Sequence, residues 1–250
     1  MFAGGFIEAL RILTIIPVPG KHDSDISRSL PYFPVIGAIL GCACAGTAWL
    51  VGNWIGWVTG AGGLATVVDV VLTGSIHLDG LADVADSFGA NTSEERHRIM
   101  KDPHVGTYGV VALVLVLFLR VAGFVRLAEA QKWLWYITPF VISRSVMAFC
   151  LRRMRYARES GNVARELVEK ASYSHVIYGG IVGGVVCFLT ADVRGILLLI
   201  AGYGISFVLS GWTGRRYGGI TGDIIGMCGI VTETLILLFL VFLASMEGGF

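Results

Sequence analysis

The sequence predicts an all-α integral membrane protein: one bundle of about seven transmembrane helices, preceded by a short interfacial or half-inserted helix. Three observations predict it. Of the 250 residues, 55% are hydrophobic and only 15% are charged, against about 25% charged in soluble domains. Seven apolar segments approach the roughly 20 residues that a bilayer core requires. Lysine and arginine fall almost entirely on one side of those segments.

Residues 2–16 place Phe2, Phe6, Leu10 and Leu13 at helical spacing, with Glu8 and Arg11 elsewhere. The stretch is too short to span, which fits an interfacial helix. It lacks a basic opening and an AxA-like cleavage site, so no cleaved signal is expected. A polar loop from Lys21 to Arg28 follows. The apolar segments lie at about 32–51, 56–76, 108–128, 133–151, 175–191, 195–212 and 226–245. Each is read as helical because an isolated segment in lipid must satisfy its own backbone, and no barrel-like alternation is present. The five cysteines lie in or beside these segments without a CxxC and read as small core residues.

Fourteen Lys and Arg residues fall on one face: the N-terminal stretch and the loops after segments two, four and six. The other face receives Lys132, Arg194 and Arg126. The positive-inside bias therefore places the N-terminus in the cytosol and the C-terminus outside, in a multi-pass cell membrane protein. Residues 1–250 form a single polytopic domain, with a cytosolic acidic-motif loop at 77–107 and a basic cytosolic loop at 152–174. A net charge of +1 argues against nucleic acid as partner.

The sharpest polar feature is His77-Leu-Asp79-Gly-Leu-Ala-Asp83-Val-Ala-Asp86. On a helix the three acids fall at i, i+4 and i+7 and share one face. Three such carboxylates repel one another unless a cation neutralises them, and hard oxygen donors favour Mg²⁺ or Mn²⁺. The plainer reading is a solvated helix end. Thr92 to Glu95 reads as a capping box that starts a short helix carrying Arg98 and Lys101. Its basic residues suit a phosphate or the lipid surface equally well. Gly106-Thr107-Tyr108-Gly109 and Gly218-Gly219-Ile220-Thr221-Gly222-Asp223 are glycine-rich turns at helix starts on the same face, a pattern suited to anions. Asp69, Arg120, Arg144 and Glu233 lie within spans. Asp69 is read as structural. For the Arg144–Glu233 pair, an ion pair holding the bundle and the lining of a substrate cavity both fit. Tyr156-Ala-Arg158 follows span four; the arginine suits a phosphate or the positive-inside signal.

With these motifs assembled, the chain resembles the cobalamin synthase family, the adenosylcobinamide-GDP ribazoletransferases. The likeness begins with Ala9-Leu10 and Leu13-Thr14, leads to Ile16-Pro17-Val18-Pro19, and passes through Phe33-Pro34, Gly37 and Gly41. It continues through the His77–Asp86 block, Arg98–Asp102, Gly106–Gly109, Tyr156–Gly161 and Gly218–Asp223, and ends with Glu233. Ile76 stands where the family usually carries a small residue. The resemblance implies a Mg²⁺-dependent membrane enzyme of vitamin B12 assembly. A hydroxyl of α-ribazole or its 5′-phosphate attacks the cobinamide-linked phosphorus of adenosylcobinamide-GDP, and GMP leaves. Oligomers and contacts with other corrinoid-pathway enzymes are compatible with it. Asp79, Asp83, Asp86, Asp102 and Asp223 are then expected metal ligands, and His77, Asp79 or Asp83 the proton acceptor. Expected substrate contacts are Arg98, Lys101, Gly106, Thr107, Arg144, Tyr156, Arg158, Gly219, Thr221, Gly222 and Glu233. CDP-alcohol phosphotransferases are the nearest rival, but the Ala-Arg pair their motif needs is missing after Asp79-Gly80. A cation transporter would place its acids near the bilayer midplane, and most here lie at the edge.

Overall fold

The computed structural model describes residues 2–20, 25–157 and 163–248, and these are helical apart from short connections. The amphipathic opening forms α1 (Phe2–Leu13), which buries Ala9 and Leu13 against a 3₁₀ turn at Ile26–Tyr32. Arg11 donates to Glu8 at 2.6 Å and to the carbonyls of Val18 and Gly20, which ties the chain after α1 back to that helix. The first apolar run becomes α2 (Phe33–Trp49), with the turn before it and a wide turn after it, Ile26–Trp54 in all.

The second run does not continue straight into the acidic motif. α3 (Val58–Thr73) stops at Gly74 and Ser75, both left-handed at φ 59° and 61°. α4 (Ile76–Asp86) then leaves at 89° to it. Two consecutive left-handed residues cannot belong to a right-handed helix, so the bend is built into the backbone. The segment read as an acidic loop is thus largely helical: α4, a 3₁₀ turn, and α5 (Ser93–Ile99), whose first turn is capped by the Thr92 hydroxyl.

α6 (Thr107–Glu129) and α7 (Ile137–Arg153) follow, then the short α8 (Val163–Lys170), α9 (Tyr173–Tyr217) and α10 (Gly222–Met246). α9 breaks at Ala191 and Asp192, and Asp192 has φ 53°. Its two limbs run back along one another: Gly180 faces the Tyr203 hydroxyl, and Gly184 faces Ile196 and Leu199. The break lies where two of the expected spans meet. By length and hydropathy, five helices can cross a membrane, six if the bent α3–α4 pair is one span. That total takes α9 as one element, and the expected seven is not reached by it.

α7 and α10 form the centre. In their spans 89% and 72% of the apolar window is buried, against 22% for α6 and 28% for α9. The outer helices expose Val114, Phe118, Ile181 and Leu189, as a lipid-facing surface requires. Of the cysteines, Cys44, Cys150, Cys187 and Cys228 are buried, but Cys42 lies on the exposed face of α2 and is not a core residue.

Candidate active site

The site grows from a close crossing of α4 and α10. A Cβ at Gly80 would lie 2.5 Å from the Asp223 carbonyl oxygen, so only glycine lets these backbones touch. One turn away, Gly226 stands against the His77 backbone. The start of α10 is held in turn by its approach. Gly218, at φ 73°, ends α9; Ile220 then pairs with the extended segment at 155–157, its amide donating to Arg155 (2.8 Å) and its carbonyl accepting from Ala157 (3.0 Å). Thr221 is buried and caps the first turn, accepting from the Ile224 amide at 3.3 Å.

A cavity of about 390 Å³ opens at this crossing. Its polar wall carries His77 and Asp79 from α4 and Gly222 and Asp223 from α10. Met147 and Leu151 of α7 and Leu167 of α8 supply apolar surface. Asp79 is exposed, and its carboxylate has no ion-pair or hydrogen-bond partner among the described residues. Asp83 and Asp223 are half-buried and both are engaged in polar interactions. His77 is buried in the wall. Glu8 and Arg11 of α1 also line the cavity, and the sequence reading assigned them no role. The available signal was an acid and a base one turn apart in an otherwise apolar amphipathic helix.

The other expected residues divide. Asp86 lies at the far end of α4, where its two oxygens accept the amides of Gly106 (2.7 Å) and Gly109 (2.8 Å) at the start of α6. The glycine turn read as a phosphate site therefore already holds the protein's own carboxylate, beside Gly106 and Thr107. Asp102 is exposed and pairs with His104 at 2.7 Å. Hydrogen bonds from the His104 amide and ring hold its carboxyl below the ordinary carboxylate value. Arg98 and Lys101 are exposed, and α5 is anchored by their neighbours. Arg96 donates to the carbonyls of Ala90 and Arg216, and the His97 ring bonds the Tyr217 carbonyl at 2.9 Å.

Arg144 and Glu233 do not line the cavity. They lie in a fully buried cluster with Asp69 and Arg120, drawn from α7, α10, α3 and α6. Arg120 bridges Asp69 (2.6 Å) and Glu233, while Arg144 pairs with Glu233 and lies 3.8 Å from Asp69. Two acids facing two guanidiniums make a neutral set, the condition under which charge persists in an apolar bundle. Tyr156 lies in the bridged segment beside a separate groove with Arg152 and Arg155. Gly219 lets that segment approach, since a Cβ there would lie 2.5 Å from the Arg155 carbonyl. Arg158 and Gly161 lie outside the described residues.

Among the described residues no three His, Cys, Asp or Glu side chains converge at metal-holding distance. The cavity's acids supply oxygen donors, the chemistry of Mg²⁺ rather than of zinc. Asp79 and Asp223 share its wall, and their carboxylate oxygens are the donor type that a Mg²⁺ ion would take.

The model of the cobalamin-5-phosphate synthase family matches residues 5–241. The adenosylcobinamide-GDP ribazoletransferase of Chlorobaculum tepidum is 37% identical over 236 residues, which cover 93% of this chain and 92% of that protein. The protein of the same name from Chlorobaculum parvum is 36% identical, over 92% and 91%. That from Shewanella amazonensis is 33% identical, over 96% and 95%. No solved structure matches the chain. A match over nearly the whole length, spanning both the α4 acids and the start of α10, settles the family: the chain belongs to the cobalamin-5-phosphate synthases.

Proposed function

We propose that this protein is the adenosylcobinamide-GDP ribazoletransferase of its cell, a Mg²⁺-dependent enzyme acting at the cytosolic face of the membrane. An O–P bond forms between a ribazole hydroxyl and the cobinamide-linked phosphorus. The P–O–P link to the guanylate breaks, and GMP departs with the electron pair. When bound, Mg²⁺ neutralises the diphosphate and the charge that develops on the leaving phosphate. Asp79 and Asp223, with Asp83 on the next turn of α4, are the residues that would hold it. Asp79 or His77 accepts the hydroxyl proton within the same cavity. Arg98, exposed and 3.8 Å from Glu95, and the exposed Lys101 lie at the edge, where they can meet nucleotide phosphates.

The observation that carries this reading is Asp79, exposed and without a partner among the described residues, sharing a cavity wall with Asp223 across the α4–α10 crossing. Seven crossings follow if each limb of α9 is one span and the bent α3–α4 pair is one span. The far end supports the orientation, because Lys132 and Arg194 both pair there with Glu247, remote from the basic loops. The test is GMP release from adenosylcobinamide-GDP by protein in nanodiscs, with α-ribazole or its phosphate as acceptor, with and without Mg²⁺. Asp79→Asn should abolish most release. Near-normal release with normal Mg²⁺ dependence would remove the metal role.

A further inference from the structure

We infer that Asp86 is a positioning residue that latches α4 to the start of α6, not a ligand of the catalytic metal. The inference concerns the site just proposed, but its first test uses no substrate.

The geometry is local and complete. An ionised carboxylate only accepts hydrogen bonds, and the first amides of a helix have no partner within it. Asp86 meets two of those amides, one with each oxygen, at 2.7 and 2.8 Å. A negative charge there also faces the positive end of the α6 dipole. Both receiving positions are glycine for a steric reason. A Cβ on Gly106 would lie 2.5 Å from the carboxylate, and one on Gly109 would be closer still. The two glycines therefore form a seat shaped for this side chain.

The latch matters because of what else α4 carries. The helix is bounded by the Gly74–Ser75 bend at one end and by Asp86 at the other, and Gly80 presses on α10 between them. Asp79 and Asp86 are seven residues apart, nearly the same direction around the helix and about 10 Å along it. They are too far apart to share one Mg²⁺, whose oxygen ligands lie about 2.1 Å from the ion. A fixed roll at Asp86 is therefore a fixed roll at Asp79. The same bond closes the chain from Ser87 to Val105, which brings α5 and its Arg98 back to the membrane edge.

The decisive measurement is hydrogen exchange of the Gly106–Gly109 amides in the wild-type chain in nanodiscs, with Mn²⁺ as the metal probe. A latch keeps these amides protected to the same degree with and without Mn²⁺. A carboxylate that leaves them for the metal loses that protection on Mn²⁺ addition, which overturns the inference. Asp86→Asn should raise their exchange about ten-fold, in line with the loss of hydrogen bonds to a charged group. It should leave Mn²⁺ binding, followed by electron paramagnetic resonance, within about two-fold of wild type. Weakening of Mn²⁺ binding by ten-fold or more would overturn the inference independently.

In GMP release, Asp86→Asn and Gly109→Ala should each lower kcat by about ten-fold with the half-saturating Mg²⁺ unchanged, and the double variant should be no worse than either. Additive losses would show that the two residues do not act through one contact. If release is absent in wild type, the proposed reaction fails while the exchange result stands.

Discussion

Two groups of acids lie in the same bundle and have opposite fates. Asp69 and Glu233 are buried among Arg120 and Arg144, two negative and two positive charges closed on one another. Asp79 and Asp223 line an open cavity, and Asp79 faces it without a partner among the described residues. Membership of an apolar span does not separate the groups. Neutralisation from within the protein does. Where guanidiniums from other helices reach the acid, charge becomes architecture. Asp79, which none reaches among the described residues, remains available to a ligand.

The comparison is broken most forcefully from the buried side. Glu233→Gln leaves Arg120 and Arg144 sharing Asp69 alone, with one buried positive charge uncompensated, and should cost about 3–5 kcal/mol, read as a lower melting temperature in detergent. A Glu233→Met, Arg144→Met pair should recover part of it. Asp79→Asn should do the reverse: GMP release falls by about a hundred-fold or more, with melting unchanged. If Asp79→Asn destabilises as Glu233→Gln does, the two groups are not distinct. Gly80→Ala tests the crossing that makes the cavity. Its methyl group meets the Asp223 backbone, and both stability and activity should fall, stability by about 1–3 kcal/mol.

The smallest effect is expected at Asp102. Its carboxyl is held low by His104, so any stability it contributes is fully present above the ordinary carboxylate pKa. That contribution fades only as pH drops through the lowered value. Asp102→Asn should change GMP release by no more than about two-fold, and the acid limb of the pH–rate profile should not move.

Much of this was legible beforehand. The apolar runs mark the helices, and the i, i+4, i+7 spacing puts Asp79, Asp83 and Asp86 on one helical face. The break in α9 at Ala191–Asp192 falls between two expected spans. What sequence could not supply was pairing over distance. Glu233 meets Arg120 and Arg144 across 113 and 89 residues, and either pairing or cavity lining suited the residue types. Gly106-Thr-Tyr-Gly109 has the composition of an anion turn, which is correct, but its anion is Asp86, 20 residues earlier. The α3–α4 bend was hidden for a different reason. It needs Ser75 at φ 61°, a conformation that serine seldom adopts and that no local pattern announces.

A cavity of about 390 Å³ suits something the size of a small drug. A corrinoid with its adenosyl group is far larger. On the proposed reaction only the diphosphate tail would enter, and the macrocycle would stay outside, against the headgroups. Recognition would then read the tail and tolerate change at the ring periphery. The bilayer would act as a second wall of the binding site, so the encounter becomes a search over a surface rather than through a volume.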